Sequence, residues 1–425
     1  MMLPPRRVIV LAWAGCVAGI GACFDPDHLP AMAFDVVATE AWQDGATRPT
    51  PAGAGEVRLV VTNNLDDTVS VVSWNALQRG GNGAEVARFP VGLVPLEREG
   101  PHHVDVDDDG RFAFVGISNF VPAGGSGPHG LHGTGSADGR VLRVDLDTQQ
   151  TVAAVRVDKN PGDVRLSPNG TTIAVSHFDL LKVADAAARD VFVGADVDAR
   201  IAFLDPITMQ RQRLIPVCPA PHGMAFGNDG RLLVTSCLSD EAAIVDVAAA
   251  LAGSDAATLV RRVTLLDAPG TAQHPNCSPY AVTMTADDST AWISCYASGD
   301  LVAVDTATAT RGRTLALPGL AVFGDVSDAG DRLAIATQDT DGVVVFDVTG
   351  PGELALISFF SLSADICPLP HTVRFLDDDD ALAVVCEGNK RDPGAVVALD
   401  ADSGAVLGRV AVGRFPDDIA VQVKP

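Results

Sequence analysis

Four histidines stand near the start of a short phrase that recurs along the chain. They are His102, His103, His222 and His371, and each lies one or two residues after a proline and just before an apolar run. Imidazole is a ligand that suits zinc, copper, nickel and iron. If the repeat brings these positions together, the sequence predicts a site where several imidazoles meet a divalent metal or another ligand.

Other repeats carry oxygen-bearing side chains at the matching point, namely Asp163, Tyr280, Asp325 and Asp417. Further histidines fall beside these points, namely His129, His132 and His274 in predicted loops and His177 at the end of a predicted strand. Carboxylates next to imidazoles commonly orient the rings of metal ligands. The alternative is that all these groups are ordinary polar residues that bind water and satisfy loop backbone groups.

The phrase itself is a Pro or Gly entry, one or two polar residues and an apolar strand. Its seven copies, spaced by roughly 45 to 60 residues, begin at Pro101, Pro161, Pro221, Pro279, Phe323, Pro370 and Pro416. Polar pairs such as Asn169-Gly170 follow the first strand and predict hairpins. Three more apolar strands complete each unit. The pattern predicts an all-β chain, a propeller of seven four-stranded antiparallel blades, with six blades as the alternative.

The two ends of the chain predict how this ring closes. The last copy has one strand, residues 417–423, and the first strands, residues 57–61, 68–74 and 85–89, lack an entry strand. Pairing the C-terminal strand with the N-terminal blade would remove two open sheet edges. We therefore expect the propeller to span residues 55–425.

Residues 59–72, which read LVVTNNLDDTVSVV, resemble the YVTN-type repeat of YncE-like extracytoplasmic β-propeller proteins. The phrase Leu166-Ser167-Pro168-Asn169-Gly170 is similar to the entry hairpin of that family. The resemblance implies a WD40-like propeller fold over residues 55–425. It implies little about function, because this fold carries binding modules, lactonases, dehydrogenase subunits and metal sites alike.

The N-terminus predicts export. Arg6 and Arg7 precede a short apolar stretch, residues 8–22, which is too short for a membrane span. The stretch ends in Ile20-Gly21-Ala22-Cys23, which resembles a bacterial lipobox. We expect a signal peptide at residues 1–22, lipidation of Cys23 and a flexible tether at residues 23–54. The protein would then lie in the cell envelope, facing the periplasm or exterior, with the lipid as its membrane contact.

Six further cysteines predict three disulfides. They fall as pairs, one just before an entry strand and one at the end of the next strand: Cys218 with Cys237, Cys277 with Cys295, and Cys367 with Cys386. The start of one strand lies beside the end of its antiparallel neighbour, so each pair should come within bridging distance. A metal cluster is the alternative, but no Cys-x-x-Cys pattern supports it.

The charge balance excludes one class of partner. Thirty basic and 54 acidic residues give a formal net charge of −24. Nucleic-acid binding needs a basic surface, so we expect no nucleic-acid partner. Small molecules, envelope proteins and cations remain as predicted partners, and we expect a monomer.

Several specific functional motifs are incomplete or absent from the sequence. Residues 105–110 match the start of an EF-hand loop, but the twelfth position is Gly116 rather than Glu, so we interpret the stretch as a polar turn. No Gly-x-Ser-x-Gly elbow or Cys-x-x-Cys-His haem motif occurs. One short helix is predicted at residues 180–189 and another at residues 245–251 followed by 255–259.

These observations leave three functional hypotheses. The first is a tethered propeller that binds a small ligand or a partner protein on its His-bearing channel face. The second is a metal-dependent enzyme, an oxidoreductase or a lactonase-like hydrolase, using copper, zinc, iron or calcium at that face. The third is a purely structural envelope protein. The sequence identifies no catalytic residue.

Overall fold

The computed structural model describes residues 51–92, 99–118, 137–376 and 378–425, with the backbone of a two-residue strand, His28–Leu29. Seven sheets of four antiparallel strands each occupy these ranges, and His28–Leu29 pairs with the outer edge of one of them. The predicted seven-bladed propeller is confirmed, and the six-bladed alternative is wrong. Blade 1 begins at Pro101, and strands A to D run from the inside of each blade outward.

Strands A line the channel, and strands B pair with them. In blades 1 to 7, strands A are Pro101–Val106, Pro161–Leu166, Pro221–Phe226, Pro279–Met284, Leu320–Val326, Pro370–Leu376 and Pro416–Val423. In the same order, strands B are Phe112–Ile117, Ile173–His177, Leu232–Cys237, Thr290–Cys295, Arg332–Gln338, Ala381–Cys386 and Val57–Asn63.

Strands C and D complete each blade toward the outside. Strands C are Asp138–Asp145, Asp198–Leu204, Glu241–Asp246, Asp300–Asp305, Gly342–Gly350, Pro393–Asp400 and Thr68–Ser73. Strands D are Gln150–Lys159, Arg211–Pro219, Val260–Thr264, Thr310–Ala316, Glu353–Ser361, Val406–Arg414 and Glu85–Pro90.

The ring closes as the chain ends predict. Strand A of blade 7 comes from the C-terminus and pairs antiparallel with Val57–Asn63, with Val57 opposite Val423 and Val61 opposite Ile419. The sheet order is therefore one C-terminal strand followed by three N-terminal strands. This pairing satisfies backbone groups on two strands that would otherwise be open edges.

The apolar core lies between neighbouring blades. Val60 of blade 7 shares one buried cluster with Val104 and Val115 of blade 1, and similar clusters follow around the ring. Alternating side chains of a twisted strand face opposite sides of its sheet, so each blade contributes one apolar face to each neighbour. The position of every strand A is thus fixed by packing from both sides.

The EF-hand-like stretch is a hairpin turn, as predicted. Asp107 Oδ1 accepts hydrogen bonds from the backbone N–H groups of Arg111 and Phe112, both at 2.8 Å. Gly110 has a φ of +61°, a conformation that glycine adopts without steric cost. The carboxylate therefore closes a turn between strands A and B of blade 1.

In the described part of the chain, four short helices join strands on the rim. They are α1, Trp74–Gln78; α2, Leu180–Ala187; α3, Val247–Leu251; and α4, Ala256–Leu259. An aspartate caps the N-terminus of each of the last three, as when Asp179 accepts a hydrogen bond from Lys182 N at 3.0 Å. Both predicted helical regions are confirmed, with shorter bounds and with two separate helices in the second, whereas α1 was not predicted.

All three predicted disulfides are confirmed. Their Cα atoms lie 5.8, 4.8 and 5.0 Å apart in Cys218–Cys237, Cys277–Cys295 and Cys367–Cys386, respectively. Each ties the segment that enters a blade to the end of that blade's strand B. Disulfides persist in oxidising compartments, so they indicate an extracytoplasmic protein.

Among the described residues, no helix combines the length and apolar character needed to cross a membrane. The predicted signal peptide and Cys23 lie outside the described residues. So does nearly all of the predicted tether.

Candidate functional site

A β-bulge at the start of every strand A shapes the channel. In blade 1, Pro101 lies opposite Ile117 and Val104 lies opposite Val115, so His102 and His103 together face one residue of strand B. The same shift occurs in the other six blades. A bulge breaks the strict alternation of side chains and re-aims them. Two consecutive residues per blade can therefore contribute to the hub.

The register corrects one sequence prediction. In blade 5, Ala321 lies opposite Thr337 and Gly324 opposite Ile335, so Ala321 matches Pro101 and Phe323 matches His103. Asp325 is therefore not equivalent to Asp163. It matches Asp105, two residues further along the channel. The fifth copy of the phrase was placed two residues too far along the chain because blade 5 has no entry proline to mark its start.

Three imidazoles converge at the bulges of blades 1 and 3. The ring centroids of His102 and His103 are 4.3 Å apart, and that of His222 lies 5.5 Å and 5.4 Å from them. One potential ligand atom of each ring lies within 4.8 Å of those of the other two. All three side chains are fully buried. We call this set the imidazole triad.

An oxygen atom contacts one nitrogen of each ring in the triad. His102 Nε2 lies 2.7 Å from Asp417 Oδ2, and His103 Nδ1 lies 3.0 Å from Asp418 Oδ2. His222 Nδ1 donates a hydrogen bond to the backbone carbonyl of Tyr280 at 3.1 Å. These contacts fix each ring and direct its other nitrogen away from the oxygen partner. This is the outer arrangement found around histidines that ligate metals.

Hydroxyl groups on strands B hold the backbone of the triad. Thr62 Oγ1 donates to the carbonyl of His102 at 2.5 Å, and Ser176 Oγ donates to that of His222 at 2.6 Å. Both hydroxyls come from the preceding blade. The entry residues are thus positioned by the neighbouring sheet as well as by their own strand.

His371 belongs to a separate group in blade 6. Its Nδ1 donates to the carbonyl of Asp417 at 2.6 Å, and its Nε2 accepts a hydrogen bond from the Tyr280 hydroxyl at 2.5 Å. His371, Glu387 and Asp417 form a second set of potential ligands. Gln338 Nε2 also donates to Glu387 Oε1 at 2.9 Å. Both nitrogens of this ring are therefore engaged within the protein.

Channel carboxylates also fasten four of the blades to the blade that follows. Each accepts a backbone N–H of the following strand A, whose inner edge has no neighbouring strand: Met224 N to Asp163 at 2.8 Å, Val104 N to Asp418 at 3.3 Å, Leu166 N to Asp105 at 2.7 Å and Phe375 N to Asp325 at 2.8 Å. A buried N–H without a partner is costly, so these aspartates have a structural role whatever else they do.

A second level of polar groups lies further along strands A. Arg165 Nε is 3.2 Å from Asp163 Oδ1, and Arg165 Nη1 is 3.3 Å from Asp418 Oδ2. Arg374 Nη2 lies 3.6 Å from Asp418 Oδ1. The ring of Phe323 packs with its centroid 4.8 Å from that of His103. We call the set Asp105, Arg165, Asp325 and Arg374 the arginine level.

Burial and neighbouring charges shift the titration of these groups. Burial lowers the pKa of His222 well below its ordinary value, and burial together with a charge on His102 lowers the pKa of His103. Burial also opposes a charge on His102, but the carboxylate of Asp417, with those of two other aspartates, raises its pKa. Although burial opposes ionisation of Asp418, the charges of Arg165 and His103 hold its pKa well below the ordinary range. Neutral His103 and His222 suit a metal ligand.

The remaining sequence candidates lie elsewhere. His177 is buried near helix α2, with Nδ1 2.5 Å from the carbonyl of Arg200 and Nε2 3.1 Å from Asp158 N. His274 is exposed on the loop before blade 4. His129 and His132 lie outside the described residues. The channel thus brings together His102, His103, His222, His371, Asp163, Tyr280 and Asp417, while Asp325 lies at the arginine level.

Sequence reasoning missed four channel residues: Asp418, Arg165, Arg374 and Glu387. Asp418 follows Asp417 as His103 follows His102. Two consecutive polar residues after an entry proline could therefore have predicted that Asp418 lies in the channel. Arg165 and Arg374 stand two residues after the second entry position, which is the period of a strand face. Glu387 follows a disulfide cysteine and carried no comparable signal.

No protein-family model matches the chain, and no curated protein matches it in sequence. Solved structures do match its fold. A functionally unknown protein from Desulfotomaculum acetoxidans aligns with a TM-score of 0.62 at 14% identity, covering 87% of this chain and 99% of that one. The chain folds like other propellers. These likenesses show the fold alone.

Two further matches carry activity names. The periplasmic gluconolactonase PpgL of Pseudomonas aeruginosa aligns with a TM-score of 0.57 at 17% identity, covering 87% of this chain and 100% of that one. A putative 6-phosphogluconolactonase from Bacteroides fragilis aligns with a TM-score of 0.57 at 13% identity, covering 88% of this chain and 99% of that one.

Proposed function

We propose that the protein is an extracytoplasmic β-propeller that binds a divalent transition-metal ion at the imidazole triad. One observation carries the proposal: three buried rings from two blades each present a nitrogen within 4.8 Å of the others. Zinc–nitrogen bonds of about 2.0–2.1 Å put tetrahedral ligands roughly 3.4 Å apart. Small rotations of the three rings would reach that spacing.

The contacts around the triad support a metal over a purely structural network. Each ring has an oxygen partner on one nitrogen, which orients the ring and makes the opposite nitrogen a better ligand. His103 Nε2 is buried and forms no hydrogen bond within the described part of the chain. A buried polar atom of this kind is costly unless something binds it. A bound cation would satisfy it.

The donor set favours zinc or copper(II). Imidazole nitrogen suits both ions, whereas calcium needs six to eight oxygen ligands. The full burial of the triad favours an ion over the larger ligand or partner protein of the first hypothesis, because an ion needs no open surface at the rings. The metal-free ligand hypothesis stays a prediction for the rest of that face.

A hydrolytic use of the metal is the second candidate function. Three histidines leave a fourth coordination position, which in catalytic zinc sites holds a water whose pKa the metal lowers. The gluconolactonase names of two structural neighbours agree with a lactonase-like reaction. The triad's burial means that such a reaction would require an opening for the substrate.

Metal analysis of the mature protein tests the proposal. Protein purified without chelator should hold zinc or copper near one ion per chain. After chelation, added cobalt(II) should produce the visible absorption bands of a four-coordinate site. His222→Gln should reduce metal affinity at least tenfold, because it removes a ligand without altering the blade 1 entry.

Two histidines provide matched controls. His177→Gln removes a buried imidazole outside the triad, and His274→Gln removes an exposed one. Both variants should keep full metal content. Loss of metal in these variants as large as in His222→Gln, or a wild-type protein that binds none of the ions, would contradict the proposal.

The predicted anchoring is part of the same proposal. The lipobox-like sequence ending in Cys23 would tether the ring to a membrane, and the disulfides agree with export. Mass spectrometry of the membrane fraction should detect a diacylglyceryl group on Cys23. A Cys23→Ser variant should appear in the soluble envelope fraction.

A further inference from the structure

We propose that the opposite end of the channel, beyond the arginine level, binds a small hydroxycarboxylate. The site is distinct from the imidazole triad and does not depend on a metal. Strands A begin at the triad and end at a cavity of 460 Å³, which the turns between strands A and B surround. Ligand sites for small molecules commonly occupy about 300–1,000 Å³.

Two guanidinium groups at the bottom of this cavity supply the positive charge. The side chains of Arg165 and Arg374 retain 14% and 16% exposure, and both line the cavity. Arg165 uses Nε and Nη1 for Asp163 and Asp418 on the triad side. Within the described residues, the hydrogen bond of this side chain uses Nη1 and leaves Nη2 without one. That nitrogen can therefore donate to an anion in the cavity.

Four aspartates, Asp105, Asp288, Asp325 and Asp328, line the same cavity, and Asp105 and Asp325 act on the arginines through space rather than by direct pairing. Asp105 accepts the backbone N–H groups of Val106 at 2.9 Å and Leu166 at 2.7 Å, and Asp325 accepts that of Phe375 at 2.8 Å. Within the described ranges, neither aspartate forms an ion pair with either arginine. Each carboxylate oxygen can accept more than one hydrogen bond. They are therefore placed to accept ligand hydroxyl groups.

Apolar groups beside the polar ones complete the site. Met224, Met284 and Phe323 also line the cavity and offer surfaces for C–H groups. A ligand with a carboxylate for the guanidinium groups, hydroxyls for the aspartates and a short carbon chain would use all three features. A fatty acid would leave the aspartates unused, and an uncharged polyol would leave the arginines unused.

Three six-carbon probes separate these possibilities. Gluconate carries both a carboxylate and hydroxyls, sorbitol carries hydroxyls alone, and hexanoate carries a carboxylate alone. Calorimetry on the mature chain should detect gluconate binding, with sorbitol and hexanoate at least about tenfold weaker, because each loses charge-assisted or neutral hydrogen bonds. Equal affinity for gluconate and either probe, or no gluconate binding, would overturn the proposal.

Variants locate the binding. Arg374→Gln should weaken gluconate about ten- to hundredfold, because a hydrogen bond to a charged group is lost. Ala225→Phe fills the cavity without removing a charge and should abolish binding, which keeps the test decisive if Arg374→Gln folds poorly. Arg409→Gln, an exposed arginine of the same blade as Arg374, is the matched control and should bind normally.

The outcome is independent of the metal proposal. Metal content should be unchanged in Ala225→Phe, and gluconate should bind both metal-loaded and chelated protein. If gluconate affinity survives both Arg374→Gln and Ala225→Phe, the cavity is not the binding site and the inference is wrong. The metal site is then still judged by its own measurements.

Discussion

The two levels of the channel use the same carboxylate chemistry for different purposes. At the imidazole triad, Asp417 and Asp418 contact histidine rings and fix their orientation. At the arginine level, Asp105 and Asp325 accept backbone N–H groups of the next blade. Carboxylates of both levels fasten the next blade, but in the described contacts those of the first level also orient imidazole rings. An aspartate at the first level can therefore have two roles at once.

Asp418 contacts residues of both levels, so its replacement should have the largest effect on stability. It contacts His103, Arg165 and the backbone of Val104 while fully buried. Asp418→Ala leaves a buried guanidinium partly uncompensated, and we expect a loss of about 3–5 kcal/mol in the free energy of unfolding. Urea denaturation of the oxidised protein measures this loss of stability.

Asp418→Asn is the matched variant for that prediction. It keeps the shape and one acceptor oxygen but removes the charge, so its loss should be smaller than that of Asp418→Ala. Equal stability of wild type and Asp418→Ala would mean that the two levels are not joined through this residue.

Metal should stabilise the protein through the triad alone. At a free zinc concentration 100 times the Kd, binding to the folded state adds about 2.7 kcal/mol to the free energy of unfolding. His222→Gln should lose most of this gain, whereas Asp325→Ala should keep it, because Asp325 lies at the other level. Thermal unfolding with and without zinc measures this stabilisation in both variants. An equal gain in both variants would remove the distinction between the levels.

Asp325→Ala should cost less than Asp418→Ala. It leaves the N–H of Phe375 without its acceptor but strands no ion-paired guanidinium in the described structure. The expected loss is about 1–3 kcal/mol. Asp325→Asn, which retains an acceptor oxygen, should recover most of it in the same urea titration. A loss as large as that of Asp418→Ala would show that the arginine level contributes as much as the shared carboxylate.

The smallest effect is expected from His177, a buried imidazole outside the hub. Burial lowers the pKa of its ring, and both nitrogens contact the backbone, one as donor and one as acceptor. Since the folded pKa lies below the unfolded value near 6.5, the neutral ring adds stability above pH 6.5. That contribution is lost as the pH falls toward the folded pKa.

His177→Gln should therefore flatten the decline of the melting temperature between pH 6.5 and 5. The glutamine carbonyl can still accept the N–H of Asp158. His274→Gln, at an exposed position, should leave the decline unchanged. If the melting temperature of His177→Gln declines as steeply as that of wild type, the channel imidazoles rather than His177 cause the acid sensitivity between pH 6.5 and 5.

The repeat made much of the fold predictable. Proline entries, Asn-Gly and Asp-Gly turns and runs of alternating strands identify the blades, and the strands missing at each end predict how the ring closes. The disulfides follow for the same reason, because two cysteines at the ends of adjacent antiparallel strands must be neighbours. These features depend on local spacing, which the chain carries in its order of residues.

The site needed the tertiary structure. The bulge turns both His102 and His103 toward the hub, and the register sets Asp325 one level away from the position that its sequence phrase predicts. Burial of the triad and the use of Asp163 to fasten Met224 depend on how neighbouring blades pack. Sequence by itself identified the entry histidines as channel residues, but it missed Asp418, Arg165, Arg374 and Glu387. Packing between blades decided their level and their partners, because backbone pairing between strands distant in the chain sets where each side chain points.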